Sequence, residues 1–407
     1  MKIASVEAIP VHARMAEGDV YWGNQSWGYN KPKSKTAGLS VTEDRTSYPP
    51  HWRSRATYSQ TVDTTVVKIT TDDGIVGWGE AKAPVAPEVT ATIIRELIAG
   101  LMIGQDPIDH AMHWDRLYGA MRIRGHSQGF WLEAMSGIDI ALWDITGKVY
   151  GAPVSKLMGG NFRKRVKIYA SGIPGVRADA PPEAWEHLRL QAAEVVRRGF
   201  HAVKVGIGLG VEGDIRTIET LRDAFGPDFT ILTDAAGMYD LPQAIALSNA
   251  LARLGVGWLE APLAPEAFAD YGRLATAVDL PIASDLVYNR WQVRELLLAG
   301  GVDVVQPDVC RAGGLTESRR IADLADAFHK SATPHVSIGS GIQFAASVHL
   351  AASLPNQNLM EFWYGGNPLG DAVLQAPFRI ENGYFWVPEG PGLGIDIDED
   401  ALLAYAV

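Results

Sequence analysis

Apolar and polar positions fall into two textures along this chain. Residues 2–12 alternate with a period of two, the mark of a half-buried strand. Residues 61–82 read as a hairpin: Thr64-Thr65-Val66-Val67-Lys68-Ile69 pairs with Ile75-Val76-Gly77-Trp78-Gly79, and Asp72-Asp73-Gly74 supplies the turn. Helical periodicity follows at about 87–103, 107–120 and 131–149, so the front third is α+β. The stretch at about 13–57 holds neither period and is rich in Gly, Ser, Pro, Tyr and Trp. A segment of this kind in a compact chain reads as a functional loop or lid, or else as a disordered insertion.

From Val166 strands and helices alternate. Strands are expected at 166–171, 202–207, 230–235, 256–261, 281–285, 302–308, 332–337 and 359–363, with amphipathic helices at 183–198, 212–225, 241–254 and 315–329 among the gaps. Such a succession predicts a closed (β/α) barrel rather than an open sheet. The tail from about 375 returns to strands, Phe378-Arg379-Ile380 and Tyr384-Phe385-Trp386, and is expected to fold back onto the N-terminal part.

Three of the barrel runs end on a carboxylate. They are Thr230-Ile231-Leu232-Thr233-Asp234, Val256-Gly257-Trp258-Leu259-Glu260 and Pro281-Ile282-Ala283-Ser284-Asp285, spaced by one strand, loop and helix. On neighbouring parallel strands these ends lie side by side, where uncompensated anions would repel unless a cation joined them. Hard divalent cations such as Mg²⁺ favour oxygen ligands of this kind. The other strand ends are polar too: Lys204 on the second, Asp308 on the sixth, His335 on the seventh and Glu361 on the eighth. Barrel active sites are built from such ends.

Composition narrows the partners. A net charge of −11 argues against nucleic acid and anionic membrane, while leaving room for a local cationic site that takes a small anion. The single cysteine, Cys310, excludes an internal disulfide and suits a reducing, cytoplasmic setting. Neither a leader-like start nor an apolar run long enough to span a bilayer occurs, so a soluble, unexported protein is expected.

Each feature has a plainer reading. A strand-end Asp is more often a helix cap than a ligand, but three on consecutive strands favour a metal site. Lys204 could snorkel at the barrel rim, His335 could be structural, and Glu361 could pair with an arginine. Arg311-Ala312-Gly313-Gly314 reads as a turn into a helix rather than a phosphate cradle, and Arg163-Lys164-Arg165 as a solvated face.

In this order the motifs resemble the enolase superfamily, within it the mandelate racemase-like acid-sugar dehydratases. Thr71 to Glu80 (TDDGIVGWGE) is similar to the capping-domain signature, Gly137 to Lys148 (GIDIALWDITGK) to the linking helix, Leu157-Met158-Gly159-Gly160 to the motif after it, and Gln306 to Gly314 (QPDVCRAGG) to the strand-six segment. The resemblance implies an α/β fold: a modified TIM barrel, (β/α)7β-like, with an N-terminal α+β capping domain. The expected division is 1–125 for that domain with its lid, 126–374 for the barrel and 375–407 for the returning tail. It implies one Mg²⁺ per subunit on Asp234, Glu260 and Asp285, a His335–Asp308 dyad, Lys204 near the substrate carboxylate and Glu361 as a polar partner. Trp22, Trp52, Arg53 and Arg55 of the lid, with Tyr169 and Arg311, are candidates for substrate contact. A homo-oligomer, from dimer to octamer, is expected.

The family's shared step is abstraction of the proton α to a carboxylate, with Mg²⁺ stabilising the enediolate. Three positions depart from the pattern. Gly206 stands where racemising members carry a second lysine, Ala236 where an asparagine is common, and Asp285 where glutamate is usual. With glycine at 206 only His335 remains as an evident base, which suffices for dehydration. The expected activity is therefore a Mg²⁺-dependent dehydratase of an aldonate or aldarate that yields a 2-keto-3-deoxy acid. A racemase or epimerase, and a non-catalytic acid-sugar-binding barrel, are the alternatives.

Overall fold

The computed structural model describes residues 1–16, 59, 61–357 and 359–407. Trp22, Trp52, Arg53 and Arg55, and nearly all of the expected lid, lie outside the described residues. The N-terminal part is a three-stranded antiparallel sheet in the order β1 (Ile3–Ala13), β2 (Val62–Thr71), β3 (Val76–Ala81). Its hairpin turns where the sequence places it: Gly74 adopts φ +86 and its N–H donates to Thr71 O at 3.0 Å. Helical segments follow: α1 (Pro87–Ile93), which runs through a π-turn at Ile94–Ile98 into α2 (Ala99–Met102), then α3 (His110–Arg122), α4 (Phe130–Tyr150) and the short α5 (Val154–Leu157).

Helix α4 lies directly on β3, and two glycines of the hairpin motif make that approach feasible. A Cβ at Gly79 would stand 1.9 Å from Gly137 O, and one at Gly77 2.3 Å from Ala141 O. Because β3 is a sheet edge, its outward N–H groups need acceptors. Asp144 of α4 supplies one, accepting from Trp78 N–H at 2.9 Å, while its other oxygen accepts from Leu393 N–H at 2.8 Å.

The barrel is (β/α)7β. Its parallel strands are β4 (Arg165–Pro174), β5 (Ala202–Gly206), β6 (Thr230–Asp234), β7 (Leu259–Glu260), β8 (Ile282–Ser284), β9 (Val304–Val305), β10 (Ser331–Ala332) and β11 (Met360–Trp363). The helices between them are α6 (Pro182–Arg197), α7 (Val211–Phe225), α8 (Leu241–Arg253), α9 (Phe268–Ala277), α10 (Arg290–Leu298), α11 (Leu315–Ala327) and α12 (Gly341–Ser353). Strand β11 pairs back onto β4, and Glu361 N–H reaches Pro334 O at 3.4 Å, closing the ring on the far side. Several ladders are shorter than the apolar runs predict. In β9 and β10 two residues pair regularly, yet Thr333 N–H still reaches Val305 O at 2.9 Å and His335 N–H reaches Pro307 O at 3.1 Å, leading up to an isolated bridge between Asp308 and His335.

The tail forms β12 (Ile380–Glu381) and β13 (Tyr384–Trp386), the latter antiparallel to β4, then α13 (Glu399–Leu403). Val407 N–H ends on Pro10 O of β1 at 3.2 Å. The basic run differs from expectation at Arg163, which is half-buried because its guanidinium donates to Ala351 O and Leu354 O at 2.6 and 2.7 Å. Among the described residues no helix is long and apolar enough to cross a membrane.

Asp139 of α4 ties the two parts together. Its Oδ2 accepts from Thr316 N–H at 2.9 Å, at the start of α11, and Gly314 leaves room for it, since a Cβ there would sit 2.3 Å from that oxygen. Burial lifts the Asp139 carboxyl from 3.8 to about 7, against the opposing hydrogen bond from Thr316. Over that window the folded chain retains a proton that the unfolded chain has lost, so stability falls as pH rises. Asp139→Asn keeps the acceptor and removes the titration. The parent's unfolding free energy, measured by denaturant titration, should therefore drop relative to this variant's by up to about 1.4 kcal/mol per unit of rising pH. A difference that stays flat across the window would contradict the assignment.

Candidate active site

Strand alternation decides which side chains enter the barrel mouth. Ala202, Leu232, Trp258 and Ala283 form an apolar layer inside the barrel, together with Tyr169 and the partly buried Val304 and Leu359. Two residues further along the same pleat come Lys204, Asp234, Glu260, Asp285, Gln306 and Glu361. The intervening Val203, Val205, Ile231, Leu259 and Ile282 belong to the large core outside that layer. A ring of polar groups therefore sits on an apolar floor.

Lys204 is 3% exposed and lies among carboxylates. Its Nζ is 2.6 Å from Glu260 Oε1, 2.9 Å from Glu361 Oε1 and 3.7 Å from Asp234 Oδ2. Burial alone would lower its pKa, but Glu260 and Glu361 outweigh burial and raise it, so it stays an ammonium. Glu260 also accepts from Gln306 Nε2 at 2.7 Å and from the Trp258 indole at 3.3 Å. Burial raises its carboxyl despite Lys204, with Asp234 and Asp285 adding repulsion. Asp234 is raised by burial in the same way, opposed by Lys204.

Glu361 goes the other way. Burial would raise it, but Lys204 and His335 pull it down, and Oε2 accepts from Val336 N–H and Ser337 N–H at 2.8 Å each. Ser337 adopts φ +53, which turns two successive amides toward one acceptor. Ala236 is also left-handed, at φ +49, and its N–H donates to Asp234 Oδ1 at 2.9 Å. Asparagine reaches that conformation more readily than alanine, so the departure at 236 leaves backbone strain beside a site carboxylate.

The dyad is present. His335 Nδ1 is 2.9 Å from Asp308 Oδ2, which leaves Nε2 at 3.6 Å from both Asp285 Oδ2 and Glu361 Oε2. Burial opposes ionisation of Asp308, yet Lys82, His335 and Arg311 pull its carboxyl down to about 2. Lys82 arrives from the end of β3 and was not a candidate from the sequence. Gln306 and Gln343 were also missed, although Gln306 stands inside the strand-six motif.

Arg311 sits at the rim, its Nη2 donating to Tyr288 Oη at 3.2 Å and its Nε 4.0 Å from Glu133 Oε1. Burial pushes the Glu133 carboxyl up to about 7, with Arg311 opposing. Tyr169, a candidate for substrate contact, lies in the interior layer below the polar ring. It is fully buried in the barrel interior, edge-on to Trp258, with its ring centroid 5.9 Å from Lys204 Nζ. Its contribution is to the floor of the site.

The donor set suits a hard divalent cation. Ligand atoms of Glu260, Asp285 and His335 all lie within 4.8 Å of one another, and Asp234 lines the same mouth. That trio includes the imidazole, where the sequence suggests Asp234. Carboxylate oxygens remain the natural ligands for Mg²⁺, and Nε2 of the dyad faces the same space.

Two family models match most of the chain. One, described as mandelate racemase / muconate lactonizing enzyme, N-terminal domain, matches residues 36–159, and one described as enolase C-terminal domain-like matches residues 187–401. The chain is 40% identical to D-galactarolactone cycloisomerase of Agrobacterium fabrum, over 84% of this chain and 90% of that protein. It is 33% identical to arabinonate dehydratase of Saccharolobus solfataricus, over 83% and 89%. The crystal structure of the 3,6-anhydro-D-galactonate cycloisomerase from Zobellia galactanivorans superposes with a TM-score of 0.82 at 31% identity, covering the whole of both chains. Sheet, barrel, strand-end carboxylates and sequence agree: the chain belongs to the mandelate racemase / muconate lactonizing enzyme family of the enolase superfamily.

Proposed function

We propose that this enzyme is a Mg²⁺-dependent dehydratase of a sugar acid, an aldonate or aldarate, and that His335 is its base. The observation that carries this reading is the imidazole, fixed by Asp308 through Nδ1, with Nε2 open toward Asp285 and Glu361. Nε2 takes the proton α to the substrate carboxylate. The released electron pair forms the C–C double bond, and the β-carbon–oxygen bond breaks with its pair on oxygen. The imidazolium then returns its proton to that oxygen, so water leaves. The remaining enol tautomerises to the 2-keto-3-deoxy acid.

Asp308 holds the ring and offsets the imidazolium charge. Lys204, kept cationic by Glu260 and Glu361, faces the charge that grows on the substrate carboxylate. A divalent cation on Asp234, Glu260 and Asp285 would hold that carboxylate and stabilise its dianionic form. Arg311, with donors beyond the one given to Tyr288, is the described cation at the rim for the substrate's far end. We place the cofactor at one ion per subunit and the enzyme in the cytoplasm as a homo-oligomer.

A second reading is favoured by the two cycloisomerases among the similar proteins. The same proton abstraction would open a ring if the β-oxygen belonged to a lactone or anhydro bridge. An epimerase is less favoured, because Gly206 offers no side chain and Lys204 is held by two carboxylates.

A panel of aldonates, aldarates, their lactones and anhydro acids separates these readings. Dehydration gives a keto acid lighter by one water, ring opening gives an isomer of unchanged mass, and epimerisation gives inverted product labelled from D₂O. His335→Asn should lower turnover by about 10²- to 10⁴-fold, the usual range for losing a general base. Retained turnover would remove His335 from that role. Mg²⁺ added to metal-stripped protein should raise the thermal midpoint, by a stabilisation of about 2.7 kcal/mol at a hundredfold excess over its dissociation constant. Glu260→Gln and Asp285→Asn should abolish most of that rise, and a parent protein indifferent to Mg²⁺ would refute the metal site.

A further inference from the structure

We propose that Lys82, delivered by the N-terminal sheet, is a positioning residue for the Asp308–His335 dyad, an inference that rests on His335 being the base. Lys82 is 3% exposed. Its Nζ lies 3.3 Å from Asp308 Oδ2, the oxygen that also meets His335 Nδ1, and donates to Val336 O at 2.5 Å. One ammonium therefore touches the carboxylate that orients the imidazole and the peptide next to the imidazole's own residue. Its backbone N–H adds a third tie, to Cys310 O at 3.3 Å, two residues beyond Asp308.

The other Asp308 oxygen is also governed from β3. Oδ1 accepts from Cys310 N–H at 2.8 Å and from Gln343 Nε2 at 3.0 Å. Gln343 N–H in turn donates to Glu80, which is fully buried and also accepts from the Ser340 amide and hydroxyl and from Thr64 Oγ1. The strand end Glu80-Ala81-Lys82 thus reaches the dyad by two routes, one direct and one through α12.

Burying a lysine costs several kcal/mol unless its charge is matched, so packing alone would be served better by methionine. The charge has a use here. A cation on Asp308 keeps that carboxylate ionised while the ring beside it gains a proton, so the Nδ1 proton stays on the ring and the imidazolium remains acidic enough to give its Nε2 proton to the leaving oxygen. It also makes the dyad's geometry conditional on the sheet being seated on the barrel.

The test compares Lys82→Met, Asp308→Asn and the double variant, following keto-acid formation, α-proton exchange in D₂O and the thermal midpoint. Lys82→Met should lower kcat and exchange by roughly 10²-fold while KM moves far less, because the lysine acts through the base and not on the substrate. In the Asp308→Asn background the same change should cost nothing further, since the pair is already broken. Turnover of Lys82→Met close to the parent's overturns the inference. So does a double variant about tenfold or more below Asp308→Asn.

If Lys82→Met fails to fold, the double variant decides, because removing both charges leaves none unpaired. Its folding with the activity of Asp308→Asn supports the inference, and its failure to fold shows a purely structural lysine. His335→Asn separates the two levels. Turnover retained in that variant sinks the proposed function and this inference together. Loss there, with Lys82→Met unaffected, sinks this inference alone.

Discussion

Five carboxylates in one barrel mouth must be matched by cations, and this constraint governs the site. Asp234, Glu260, Asp285, Asp308 and Glu361 face Lys204, Lys82 and Arg311. Arg311 is shared with Glu133 at the rim, so the permanent cations fall short of the carboxylates, and a divalent ion would offset the excess. The lysines are not interchangeable in this balance. Lys204 sits on the floor between Glu260 and Glu361, whereas Lys82 comes in from the sheet above and serves Asp308.

Such a balance requires two rigid bodies held at fixed separation. The barrel supplies one by alternation, with an apolar layer below and the polar ring one step above. The sheet supplies the other, and α4 joins them. Gly77 and Gly79 let the helix backbone lie against β3, Asp144 satisfies that edge, and Asp139 caps the turn that follows Asp308. A side chain at either glycine would push the helix away from β3 and change the approach of Lys82 to Asp308. The hairpin glycines and the dyad are thus parts of one mechanical chain.

Much of this was legible in the sequence because it is periodic. Alternation and helical period place the strands and the long helices, and constant spacing puts Asp234, Glu260 and Asp285 at adjacent strand ends. Gly206 and Ala236 could be flagged as departures for the same reason. What escaped is what periodicity does not encode. Lys82 follows a hairpin whose own pattern ends at Glu80, and only the docking of β3 against the β9 and β10 ends brings it to Asp308. Tyr169 reads as a strand residue near a site, but parity puts it on the interior layer, below the carboxylates.

The carboxylates divide by how many of their acceptor sites the protein has already filled. Asp308 meets Cys310 N–H, Gln343, Lys82 and His335, and Glu361 meets two backbone amides and Lys204. Groups saturated in this way are fixed and ionised, which suits orientation and charge compensation. Asp285 has one close polar neighbour among the described residues, His335 Nε2 at 3.6 Å, and Asp234 Oδ2 has only Lys204 at 3.7 Å. Oxygens with capacity left are the ones able to take an ion or a substrate group. Glu260 lies between these extremes, with Lys204, Gln306 and the Trp258 indole spread over its two oxygens. The filled Asp308 lies on the Nδ1 side of His335, while Nε2 faces both the open Asp285 and the filled Glu361, each at 3.6 Å. In the proposed reaction, a proton taken by Nε2 would be balanced across the ring by Asp308, which is already committed as an anion.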